Sequence, residues 1–116
     1  VMTSSDGSGG HPRLYGTYPR KIRRYVLDKP VITMERMVRA SSGQVAETYR
    51  MVDRGVLRAG AFADVIVFDP KTIRDDATYV EPTRLSSGMV WVFVNGQAAV
   101  QERKMTNVFA GRALRR

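Results

Sequence analysis

Apolar residues fall at helical spacing in the first half of this chain and at strand spacing in the second. Ile22, Tyr25 and Val26 stand at i, i+3, i+4, and Met34, Met37 and Val38 repeat the pattern. That period puts each trio on one face of a helix. Thr17 as N-cap with Pro19 just inside predicts a first helix from about Pro19 to Asp28, ended by Pro30. Thr33 as cap, with Glu35 near the positive end of the helix dipole, predicts a second over about 34–40. Ser41-Ser42-Gly43 breaks it, and Ser42 recaps a short helix from about Gln44 to Tyr49. The methionines here are expected to fill irregular gaps in a core.

At Asp53-Arg54-Gly55 the pattern turns to β, and a boundary is expected near 51–53. Residues 63–69 read as a short strand stopped by Pro70. It is apolar on both faces, which predicts cover on both sides. Residues 71–88 form an irregular polar connection, with Thr78-Tyr79-Val80 as a candidate short strand. Met89 to Val94, then Asn95-Gly96, then Gln97 to Gln101, reads as a hairpin on a type I′ turn, because both turn residues need φ > 0. Arg103-Lys104-Met105 is expected to end the second hairpin strand, and Gly111 to Arg116 closes the chain. Trp91 is expected in the core.

The opening carries the candidate chemistry. Val1-Met2-Thr3 has strand character and runs into Ser4-Ser5-Asp6-Gly7. The pattern places Asp6 at the carboxyl end of a strand, where barrel and open-sheet enzymes hold their reacting groups. Gly7 is expected to let the backbone turn with φ > 0. The plain alternative is a turn aspartate in a frayed terminus. Ser8 to Arg13 is a flexible loop that delivers His11 and Arg13 back toward the acid. Tyr15 and Tyr18 follow, either lining a pocket with their hydroxyls or packing the loop down. A first strand with no partner in the next fifty residues reads as a piece of something larger.

Composition narrows the classes. The 116 residues are 43% hydrophobic and 26% charged, ordinary for one globular domain. No apolar run reaches the roughly 20 residues of a membrane span, and no leader pattern opens the chain. With no cysteine, disulfides and thiolate metal sites are excluded, which fits the cytoplasm. The net charge of +8 divides as +5 over residues 1–54 and +3 over 55–116, so the excess is spread. The densest cluster, Arg20-Lys21-Arg23-Arg24, supports a competing reading: a basic, non-enzymatic module that binds nucleic acid or another polyanion.

Two motifs favour an enzyme. Gly55-Val56-Leu57-Arg58-Ala59-Gly60-Ala61-Phe62-Ala63-Asp64-Val65-Ile66-Val67 follows Gly-x-Leu-x-x-Gly-x-x-Ala-Asp-x-x-Val. It resembles the return from barrel to small β domain in the amidohydrolase superfamily, where a Val-Asn-Gly turn like Val94-Asn95-Gly96 follows. Ser4-Ser5-Asp6-Gly7, with His11-Pro12-Arg13-Leu14-Tyr15-Gly16-Thr17-Tyr18-Pro19-Arg20, resembles the last barrel strand and loop of the N-acyl-D-amino-acid deacylases, the D-aminoacylases. The resemblance covers nearly all of this chain and about the last quarter of such an enzyme.

The resemblance implies an α/β plus β fold. Residues 1–52 would be the last strand, active-site loop and helices of a metal-dependent-hydrolase (β/α)8 barrel. Residues 53–116 would be the C-terminal part of the small β-sandwich domain. It implies amide hydrolysis on N-acyl-D-amino acids with one or two zinc ions, whose other ligands lie outside this chain. Asp6 would be the catalytic aspartate at the metal, taking a proton from the attacking water and passing it to the leaving amine. Arg13 would hold the substrate carboxylate through a two-toothed contact, with Tyr15 or Tyr18 assisting. His11 is not a metal ligand in this reading, and Asp64 is a structural acceptor of backbone hydrogen bonds. The chain alone would be inactive. Its partners would be the missing barrel portion and the substrate, with a homo-oligomer open and no nucleic acid or membrane expected.

Overall fold

The computed structural model describes residues 1–114, so Arg115 and Arg116 of the closing segment lie outside the described residues. Helix α1 spans Arg13–Lys21 and runs without a break into a π-helical segment, Ile22–Asp28. Helices α2 (Met34–Ser41) and α3 (Gly43–Thr48) follow. Strands β1 (Val65–Phe68), β2 (Met89–Val94), β3 (Gln97–Gln101) and β4 (Lys104–Met105) form one antiparallel sheet in chain order.

The first helix starts earlier than its pattern indicates. Pro12 sits at the N-cap with φ −60°, already set for the first turn. Thr17 therefore lies inside the helix, and its hydroxyl donates to the Arg13 carbonyl at 2.8 Å. Pro19 has no N–H, so the Tyr15 carbonyl four residues back loses its helical partner. The Ser86 hydroxyl donates to that carbonyl instead, at 2.9 Å. After the proline the ladder widens: the Lys29 N–H donates to Arg24, the i→i−5 spacing of a π-helix.

Helix α2 forms as its cap predicts. Thr33 is extended at φ −75°, ψ 160°, and its hydroxyl accepts the Arg36 N–H at 3.2 Å. The Glu35 carboxyl is held below its usual range, first by its own backbone N–H and then by the Thr33 hydroxyl. Ser42 stands at the N-cap of α3 without capping it; its hydroxyl donates backward to the Val38 carbonyl at 2.7 Å.

The core lies between the helices and the sheet. Ile22, Met37 and Ile73 are buried together, packed by Val26, Leu27, Ile32, Met34, Phe68 and Met89. Ile73 is fully buried, and it comes from the connection after β1. Gly88 seats it: with φ +87°, a Cβ there would meet the Ile73 backbone at 2.4 Å.

Four expectations in the β part are corrected. Residues 78–80 form no strand, Thr78 being irregular and Tyr79 and Val80 a bend; the connection pairs only as a single bridge, Arg74 with Ser87. Ile66 and Val67 of β1 are 52% and 45% exposed, not covered on both faces. Trp91 is half-buried and stacks on Phe93 at 5.6 Å, outside the core. Met105 does not end the second hairpin strand, because Glu102 and Arg103 turn at φ 48° and 70° and Lys104–Met105 folds back as β4. Contacts from elsewhere pin that turn: the Arg103 N–H donates to Val90 at 3.0 Å and its guanidinium meets Asp69 at 3.3 Å.

The predicted hairpin is present. Asn95 and Gly96 take φ 49° and 82°. Asp64 behaves as the structural acceptor expected, receiving the Asn95 N–H at 2.8 Å. Arg54, nearly buried at 10% exposure of its side chain, completes a clip. It pairs with Asp64, donates to the Asn95 side-chain oxygen at 2.7 Å, and lies 4.0 Å above the Phe62 ring centre.

Candidate active site

The opening residues are irregular rather than a strand. A strand needs a ladder partner, and the described residues place none beside them. Thr3 fixes the segment instead. Its N–H donates to the Ala40 carbonyl at 2.9 Å, and its hydroxyl accepts from Ser41 at 3.2 Å and from the Lys21 ammonium. The Tyr18 hydroxyl reaches the Thr3 carbonyl at 3.5 Å. Burial holds Lys21 below its usual pKa.

Three residues beyond this anchor, Asp6 itself turns, at φ 44°. The positive φ expected at Gly7 belongs to the aspartate, which tolerates the left-handed region better than most residues. Gly7 is needed for space: a Cβ there would come 2.7 Å from Leu14 Cα. The loop thus lies directly against the start of α1, which brings Asp6 to 3.3 Å from the Arg13 guanidinium. Both side chains face solvent, at 89% and 42% exposure, so the pair is weak. A carboxylate arriving from solution competes for Arg13 at little cost.

His11 lies at the base of α1. Its Nδ1 accepts the Arg13 N–H at 3.1 Å, and its Nε2 lies 3.4 Å from the Tyr79 hydroxyl. A hollow of about 250 Å³ opens beside it, lined by His11, Arg13, Gly16, Arg20, Asp75 and Tyr79 among others. Tyr15 and Tyr18, each 39% exposed, do not line this hollow. Tyr79 and Asp75 do, although nothing in the irregular polar stretch around them signals a site. Only the packing of residues 71–88 against α1 brings them there.

Among the described residues no three His, Cys, Asp or Glu side chains gather closely enough to hold a metal ion. Catalytic zinc takes about three protein ligands plus water. The described residues therefore do not build a catalytic metal site by themselves. The basic cluster is largely engaged within the molecule. Arg20 pairs with Asp75 at 2.9 Å, Arg23 with Asp28 at 3.0 Å, and Lys21 with Thr3. No helix among the described residues is long and apolar enough to cross a membrane.

A family model described as the amidohydrolase family matches residues 1–100. A D-aminoacylase from Alcaligenes xylosoxydans xylosoxydans is 41% identical over 120 aligned positions, covering 100% of this chain and 25% of that protein. A crystal structure of D-aminoacylase superposes with TM-score 0.91 at 38% identity, covering 99% of this chain and 25% of the other. A structure of the N-acyl-D-glutamate deacylase of Bordetella bronchiseptica, complexed with zinc and a phosphonate inhibitor, superposes with TM-score 0.81 at 42% identity. It covers 84% of this chain and 22% of the other. The chain thus spans about a quarter of the length of these relatives.

Proposed function

The chain belongs to the amidohydrolase family, and on that premise we propose that it is the C-terminal part of a metal-dependent N-acyl-D-amino-acid deacylase. Residues 1–52 close the barrel and carry its last active-site loop; residues 53–116 belong to the small β domain. In the complete enzyme, Val1 to Thr3 pairs as a strand with barrel strands outside this chain. The chain is inactive alone, and the cytoplasm is its compartment.

The observation that carries the reading is the Asp6–Arg13 pair at 3.3 Å. Amide hydrolysis of an acyl amino acid needs a base for water, an acid for the leaving amine and a cation for the free carboxylate. Asp6 takes the water proton and returns it to the amine nitrogen. Arg13 exchanges Asp6 for the substrate carboxylate, which leaves the Asp6 oxygens available. Tyr15 and Tyr18 stand along the same helix as further substrate contacts. Zinc, one or two ions, would be held by Asp6 together with residues outside this chain and would supply Lewis-acid activation of water and carbonyl.

The test uses the complete enzyme. Asp6→Asn should lower kcat about 10²- to 10⁴-fold, measured as amine release from an N-acyl-D-amino acid. Retained turnover ends the assignment. Arg13→Lys should raise KM about tenfold with a smaller change in kcat, since a point charge replaces a fork.

A further inference from the structure

We propose that the connection over residues 71–88 braces the active-site corner, with Tyr79 and Ser86 as positioning residues for Arg13. The inference rests on the deacylase reading above. Three contacts reach the corner from residues more than fifty positions away in sequence. The Ser86 hydroxyl holds the Tyr15 carbonyl that Pro19 leaves without a helical donor, at 2.9 Å. The Asp75 carboxylate takes Arg20 at 2.9 Å, and its Cβ lies 3.0 Å from where a Cβ on Gly16 would stand. Tyr79 meets His11 edge to face, with ring centres 5.2 Å apart and its hydroxyl 3.4 Å from Nε2.

The last contact transmits directly. His11 Nδ1 accepts the Arg13 backbone N–H at 3.1 Å. With Nδ1 an acceptor, the neutral ring carries its proton on Nε2, which donates to the Tyr79 oxygen. Tyr79 therefore sets the plane of the imidazole, and the imidazole sets the backbone of Arg13. Tyr79 is 78% exposed, so its own burial stabilises little. What its contact changes is the order of the corner before substrate arrives. A pre-oriented guanidinium loses less freedom on binding a carboxylate.

The experiment compares Tyr79→Phe, Ser86→Ala and Ser86→Thr with the unmodified complete enzyme. Steady-state kinetics on an N-acyl-D-amino acid and hydrogen exchange of amides 11–17 are the two readouts. Tyr79→Phe and Ser86→Ala should each raise KM about three- to tenfold with kcat within twofold, the size of one lost hydrogen bond. Exchange over 11–17 should quicken in both, and Ser86→Thr should restore both readouts. Unchanged exchange overturns the brace, and so does faster exchange with unchanged KM. An unmodified enzyme that does not cleave the substrate counts against the deacylase reading instead. Exchange alone then decides the brace, and unchanged rates overturn it.

Discussion

The helices of residues 13–48 and the strands of residues 65–105 bury their apolar side chains by different means. The helices supply Ile22, Met37, Ala40 and Ala46 to the interior, each below a tenth exposed. No residue of the four strands is buried; all are intermediate or exposed. The interior on the β side comes from the connection, through Ile73 and Ala77. A helix closes its hydrogen bonds within itself and needs one neighbour for its apolar stripe. A sheet has two faces and needs a layer on each. The helical region is therefore more nearly complete within these residues than the sheet.

The corner around Asp6 and Arg13 depends on both regions. Asp6 and Arg13 come from the N-terminal part, while the groups that hold the corner, Asp75, Tyr79 and Ser86, come from the β side. The Asp6–Arg13 pair and the groups packed around it are thus far apart in sequence and adjacent in space.

Substitutions in each region test this contrast. The largest effect is expected where the two regions meet. Gly88→Ala forces a methyl group to 2.4 Å from the Ile73 backbone at φ +87°, and Ile73→Ala empties the best-buried position. Each should cost about 3–5 kcal/mol in urea unfolding; a loss below about 1 kcal/mol would mean that Ile73 does not join the two regions. Arg54→Met comes next. It strips Asp64 and Asn95 of their shared partner and should cost about 2–3 kcal/mol, with faster amide exchange in the hairpin turn and normal exchange in α2.

The helical region offers a smaller and more local lesion. Thr33→Ala removes the acceptor for the Arg36 N–H and should cost about 1 kcal/mol, with the sheet unaffected. Serine at that position should recover most of the loss. On the β side, acid should have a distinct signature at Asp69. The Lys71 N–H, foremost among its contacts, holds this carboxyl below its ordinary 3.8. A depressed folded value means the stabilisation is present above about pH 4 and is lost as pH falls through the lower folded value. Asp69→Asn should flatten the acid limb of the stability curve below about pH 4; an unchanged limb would remove Asp69 from it. The smallest effect is expected on the open sheet face. Ile66→Ser, at a position 52% exposed, should shift the stability of this chain by about 0.5 kcal/mol or less. A larger shift in the complete enzyme would mark that face as covered there.

Much of the local structure was legible because it depends on neighbours in sequence. The Thr33 cap, the i, i+3, i+4 trio of α2, the Asn95-Gly96 turn and the Asp64 acceptor each follow from residues a few positions apart. The return of Arg13 toward Asp6 was legible too, from the flexible loop between them. The errors have two causes. The start of α1 is set by Pro12 and the bend after Thr78 by its bonds with Glu81, local signals that the helical and strand patterns override, whereas the reversal at Glu102-Arg103 depends on partners far along the chain. The Glu102-Arg103 turn has none of the usual turn residues, and its pins are Val90 and Asp69.

By itself the sequence determined the cap and apolar face of α2, the hairpin and its turn, and that Arg13 comes back toward Asp6, because hydrogen bonds and dihedral preferences within a few residues decide those. Tertiary structure alone decided that a proline can sit inside α1, that Ile73 is the buried centre, and that Tyr79 stands over His11. Each of these rests on groups supplied from other elements, and no local preference encodes their approach.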